Sequence, residues 1–250
     1  RVTSLGEEKE IEILSMGARI AHTLQLIFFT LLVLTGLVLL SIELFAWIVY
    51  PIGVPLAPMV GLSQETGAVT VGVEVARAIH RFTGPLWGAL LIVYGIYLVI
   101  TRKILVFEPL KKPIKQQIRE AIALLNYYAL GKPLPKDVEE DLERHNVLVS
   151  YLAIVLIIAV ILVGGSGAAM IYLNLTPDQH RIMLLLHDIG FYLSILFTLA
   201  HIFAFTHPAN IPILKAMFTD GRVALKWAEK HMPRYIRSRA LRGEIETPGE

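Results

Sequence analysis

The sequence predicts an all-α integral membrane protein, a four-helix bundle with amphipathic helices on its cytoplasmic side. Three observations carry this. The 250 residues are 55% hydrophobic with a mean hydropathy of +0.60, too apolar for an ordinary soluble domain of that length. Four apolar runs, at about 17–45, 78–101, 147–173 and 182–207, are each long enough to cross a bilayer, which takes about 20 residues. Basic residues keep to alternate connections. Twenty of the 23 Lys and Arg lie in the segment through Arg19, the loop 102–146 and the tail 208–250, and only Arg77, Arg81 and Arg181 fall on the other side. By the positive-inside rule, both termini and the central loop are expected in the cytoplasm, and the protein in a prokaryotic inner membrane.

Composition also excludes some chemistry. There are no cysteines. A disulfide framework, thiolate-held iron–sulfur clusters and covalent c-type haem are thereby ruled out for this chain. The basic residues are mixed with acids and flank the spans, so lipid and not nucleic acid is the expected surface partner. No signal-peptide pattern precedes the first run, and the start at Arg1 suggests residues before it.

In chain order, residues 1–16 read as a charged, helical lead-in. The first span opens with Arg19-Ile20-Ala21-His22 and carries Thr35-Gly36 in its middle, and Trp47 and Tyr50 beyond it resemble an interfacial aromatic anchor. Pro51, Gly53, Pro55 and Pro58 are expected to break any helix in the outer segment, with a short surface helix over 69–79 leading onward. His80 stands at the outer end of the second span, and Pro85 lies in its first turns. In the central loop, Ile114, Ile118, Ala121, Ile122 and Leu125 recur at helical period opposite Lys115, Gln116, Arg119 and Glu120. That pattern fits a helix on the inner membrane surface or a cap helix against a partner. The third span contains Gly164-Gly165-Ser166-Gly167, small residues that admit a neighbouring helix or a flat macrocycle. The fourth span carries His187 and His201, and a basic tail follows His207-Pro208.

The histidines carry the functional expectation. An ionisable side chain within a span is costly, and four of them at two depths point to a shared task. His187 and His201 are 14 residues apart, a rise of about 21 Å on nearly one helix face. The first span starts inside, so His22 is inner. The second and fourth start outside, so His80 and His187 are outer and His201 is inner. Depth therefore pairs His80 with His187 and His22 with His201, two axial sets for two b-type haems. Bis-histidine iron has no open position for oxygen and transfers electrons. Arg19, Arg81 and Arg181 are placed either for haem propionates or for lipid phosphates. His207 competes for the inner site but adjoins Pro208. His145, His180 and His231 fall outside the spans, and the last two read as solvated surface residues.

These residues resemble the cytochrome b (gamma) subunit of membrane-bound formate dehydrogenases over nearly the whole chain. The resemblance rests on Arg19-Ile20-Ala21-His22, Thr35-Gly36, Ile79-His80-Arg81, Gly165-Ser166-Gly167 and the spacing of His187 and His201. It extends to Ala216-Met217-Phe218-Thr219-Asp220-Gly221-Arg222-Val223 and Trp227-Ala228-Glu229-Lys230-His231, where Met232 replaces a family histidine. It implies an outer haem fed by an iron–sulfur subunit, itself supplied by a molybdenum or tungsten catalytic subunit. It also implies an inner haem that reduces a quinone (menaquinone or ubiquinone) near the cytoplasmic face. The family's quinone segment Tyr-Asn-x-Gly maps onto His145-Asn146-Val147-Leu148, so Asn146 and His145 are quinone candidates, although Asn146 also suits a helix cap. Related readings are the cytochrome b subunits of hydrogenases or of thiosulfate or polysulfide reductases. Different in kind are a transporter or structural anchor without haem, and a free-standing ascorbate-type cytochrome.

Overall fold

The computed structural model describes residues 9–101 and 104–245. In order the chain forms β1 (Glu10–Glu12), α1 (Met16–Leu40), α2 (Ile42–Leu56), α3 (Gln64–Ile100), α4 (Ile114–Leu130), α5 (Lys136–Glu139), α6 (Val147–Tyr172) and α7 (Pro177–Thr206). The tail adds α8 (Ile211–Phe218), β2 (Arg222–Ala224), α9 (Leu225–His231) and α10 (Pro233–Leu241). Among the described residues the regular elements are helices apart from the short β1–β2 ribbon. α1, Gly67–Ile100 of α3, α6 and α7 are long and apolar enough to cross a membrane. Many of their outward side chains are apolar, among them Leu26, Ile96, Ile157, Ile161 and Leu199. A helix satisfies its own backbone hydrogen bonds, the condition for crossing hydrocarbon. The chain divides into two compact units, one of residues 20–97 and 164–185, the other of residues 1–19, 98–163 and 186–250.

The first of these units is built on α1, α2 and α3. α2 corrects the expectation that the prolines exclude a helix, since Pro51 and Pro55 both lie inside it. Each proline removes one N–H, but backbone contact with α3 holds the element. A Cβ on Gly53 would stand 1.7 Å from the Ala68 carbonyl oxygen, and one on Gly72 2.5 Å from that of Val49. Only glycine permits such approach. Val38, Val49, Val73 and Ala76 close the small core around this contact. α3 then runs 37 residues without a break, so the separate surface helix expected over 69–79 is the first part of the span helix itself. No proline interrupts it before Pro85.

The other unit gathers the loop and tail. Residues 9–15 do not form the expected helix. Ile11 pairs with Val223 in an antiparallel ribbon. Ile11 and Ile13 alternate with Glu10 and Glu12, the period of a strand, and they bury against Ala216, Val223, Ala228, Met232 and Ile236. Ile13 and Leu14 both donate their N–H to the Gly221 carbonyl, and Gly221 has φ +83°. α4 and α5 pack Ala123, Leu124, Val138 and Leu142 on Val147. Lys112 and Glu120 are buried there as a pair. Lys112 Nζ lies 2.7 Å from Glu120 Oε2 and 2.8 Å from Asp141 Oδ2. Burial alone raises the Asp141 carboxyl, but Lys112 and Arg234 more than offset this and hold it below the usual range.

Candidate functional site

The predicted outer histidines are both fixed by hydrogen bonds. His80 follows Ala76 by one turn on α3, and its ring faces α1. Thr35 Oγ1 is 2.9 Å from His80 Nδ1 and donates its single hydrogen to the Leu31 carbonyl at 2.7 Å. With that hydrogen on Leu31, the hydroxyl accepts from Nδ1–H, an arrangement that leaves the ring lone pair on Nε2. Gly36 lets the ring lie close, since a Cβ there would be 3.5 Å from His80 Cε1. Phe29 on α1 and the buried Trp87 on α3 pack together farther along, with ring centroids 6.3 Å apart. His187 on α7 is likewise held by a hydrogen bond to the backbone of Val163 on α6. Gly190, one turn on, brings the helices together there: its Cβ would lie 2.8 Å from both Leu162 Cβ and Val163 Cγ1. A ligand histidine is commonly tied in this way through its second nitrogen.

The inner histidines lie on α1 and α7. His22 is half-buried in the second turn of α1. His201 is exposed on α7 and bracketed by Phe197, stacked at 5.6 Å, and Phe205 at 5.3 Å. Each predicted pair takes one histidine from each unit, so each is described within its own. The arginines differ. Arg19 donates to the Thr219 carbonyl of the tail, whereas Arg81 is exposed and Arg181 reaches Asp178 at 3.3 Å.

The predicted quinone segment opens α6. Asn146 Oδ1 accepts the Val149 N–H at 3.1 Å, so Asn146 is the helix cap, with its carboxamide nitrogen outside that bond. Glu120 Oε1 accepts the Val147 N–H at 2.9 Å, and Ser150 Oγ donates to the Val106 carbonyl at 2.6 Å. Asn146 is thus set by two helices and a loop. Burial, with Arg144 beside it, lowers the pKa of His145 to about 4, so its ring is neutral at physiological pH.

A second polar cluster escaped the sequence reading. His207 packs against Tyr128 edge-to-face at 4.9 Å and against Tyr127 at 5.6 Å. Asn210 Nδ2 donates to Tyr128 Oη at 3.3 Å and to the Ala204 carbonyl at 2.8 Å. Burial raises the Tyr128 phenol, which stays protonated. The adjacent tyrosines at the end of α4 were the only signal available. His231 is also more than a solvated residue, because its ring stacks on Trp227 at 4.4 Å.

His22, His80, His187 and His201, all within long apolar helices, suit a haem protein. The family model of prokaryotic cytochrome b561 matches residues 14–220, a stretch that contains all four. The chain belongs to the prokaryotic cytochrome b561 family. This cytochrome is an integral membrane protein of the b type, binds haem b and takes part in electron transfer. Comparison with curated proteins gives no match. The donor set fits haem b: imidazoles within the spans are strong iron donors, and a His80 ring bonded to Thr35 through Nδ1 keeps Nε2 for a metal. The match ends before α9 and α10, so the Trp227–His231 stack lies beyond it.

Proposed function

We propose that this cytochrome is a diheme membrane subunit that carries electrons between an iron–sulfur partner subunit on the outer side and a quinone on the cytoplasmic side. In this reading His80 and His187 hold the outer haem and His22 and His201 the inner one. The observation that carries it is the Thr35–His80 hydrogen bond, with the Val163–His187 bond as its counterpart. Haem held between two histidines would supply one-electron transfer and would leave no site for oxygen. Thr35 and Val163 hold the rings against rotation. Arg19 and Arg81 are the cations available to propionates. Asn146 can donate from its carboxamide to a quinone carbonyl, and neutral His145 stands beside it as a hydrogen-bonding group. The resemblance to formate dehydrogenase gamma subunits makes a molybdenum or tungsten formate dehydrogenase the favoured complex. Electrons arriving from outside, with quinone protons drawn from the cytoplasm, then build a proton-motive force without a channel through this subunit.

The test is a haem count. The purified chain should hold two haems b per polypeptide, and His80→Ala or His22→Ala should each remove one from the reduced-minus-oxidised spectrum. A single haem in the parent, or full haem content in both variants, would end the proposal. Identifying the co-purifying catalytic subunit separates formate dehydrogenase from its hydrogenase-type relatives.

A further inference from the structure

One face of α4 has no counterpart in the site. Ile114, Ile118, Ile122 and Leu125 are exposed at 64, 53, 55 and 55%, and at 100° per residue they fall within one sector of about 80°. Gln117, Glu120, Ala123 and Leu124 occupy the other side and are buried. The pattern alone fits either lipid or a partner protein. Three observations favour lipid.

The first is depth. Glu120, near the middle of α4, accepts the N–H of Val147, the first residue of a span helix, at 2.9 Å. Ala123 and Leu124 pack on the same residue. α4 therefore lies at the level where α6 begins, which in a membrane protein is the headgroup region. The second is charge. Exposed Lys115 and Arg119 border the apolar stripe, Arg119 in an ion pair with Asp137 of α5 at 2.8 Å, and the acid of α4 itself, Glu120, faces inward to Lys112. An apolar face edged by Lys115 and Arg119, with no acid of its own helix turned outward, matches a phospholipid surface. The third is length. Residues 114–125 rise about 17 Å, too short to cross a bilayer and suited to lying in its plane.

We propose that α4 is an in-plane membrane helix, with Ile114, Ile118, Ile122 and Leu125 seated among the acyl chains just beneath the headgroups of the leaflet on the loop side. The helix then works as a float, and through Glu120 it fixes the height of the α6 start and of Asn146. This inference rests on membrane integration and not on the haem or quinone assignments, so it stands or falls separately from them.

The chain lacks cysteine, which allows single labels in the full-length protein. Ile118→Cys, Ile122→Cys and Leu125→Cys would carry a nitroxide, with Gln116→Cys as the water-facing reference. The chain alone would be reconstituted in vesicles of phosphatidylethanolamine and phosphatidylglycerol. The labels at 118, 122 and 125 should collide with oxygen in preference to a water-soluble nickel chelate by several-fold more than the label at 116. Equal ratios at all four positions would overturn the proposal. So would labels that are open to the chelate in vesicles and become shielded only when a co-purifying subunit is added, because a protein would then be the cover. Three labelled positions on one face keep the test decisive if one variant fails to fold.

Discussion

Thr35 shows how much one hydroxyl can decide. With its hydrogen on Leu31 it offers a lone pair to His80 Nδ1, and such a contact selects which imidazole nitrogen is basic. Thr35→Val keeps the shape and removes the acceptor. Partners of ligand histidines typically govern metal affinity by about 10–100-fold. The valine variant should therefore lose haem more readily and shift the midpoint potential of one haem, whereas Thr35→Ser should behave as the parent. Redox titration of the three proteins checks this, and an unchanged potential with valine would remove Thr35 from the site. The sequence places Thr35 and His80 on separate spans 45 residues apart. Their contact depends on how α1 and α3 meet, which no local pattern encodes. His22 and His201 were legible as histidines on apolar helices, but nothing in sequence foretells the Phe197 and Phe205 bracket.

At the level of elements, helix length was legible and helix breaking was misread. The four long helices follow from runs of apolar residues, a signal with little competition. α2 did not follow, because Pro51 and Pro55 were weighed as local breakers while Gly53 and Gly72 let α2 and α3 touch backbone to backbone. This gives a paired test. Gly53→Ala forces a Cβ into the Ala68 carbonyl and should cost about 1–3 kcal/mol or more. Gly84→Ala meets nothing within 4 Å and should be neutral or stabilising by up to about 1 kcal/mol. Thermal unfolding in detergent should separate the two variants clearly. If both shift alike, helix propensity and not contact governs these glycines. The β1–β2 ribbon was hidden for another reason: three-residue strands carry almost no periodic signal, and their partners lie at opposite ends of the chain.

Across the whole molecule, stability should respond to acid through His145. Its folded pKa is lowered from 6.5 to about 4. Above pH 6.5 the ring is neutral whether folded or not, and no penalty applies. As pH falls below 6.5 the unfolded chain gains a proton that the folded chain refuses until about pH 4. Stability is lost across that window, on the order of 3 kcal/mol at its acid end. His145→Asn should flatten this part of the melting temperature against pH, measured as a difference from the parent so that carboxylate titration cancels. A parallel profile would show that His145 takes up its proton in the folded state as readily as in the unfolded one.

The ribbon between residues 10–12 and 222–224 bears on how the protein is made. A ribosome releases Glu10–Glu12 early, yet their hydrogen-bonding partners emerge about 210 residues later, on the order of 10–40 s at ordinary synthesis rates. The leading segment has to wait, with Ile11 and Ile13 uncovered, until every spanning helix has been inserted and the tail has followed. Closure of the ribbon then comes after the last of the four spanning helices has been made, and it can form only on a chain translated through residue 224.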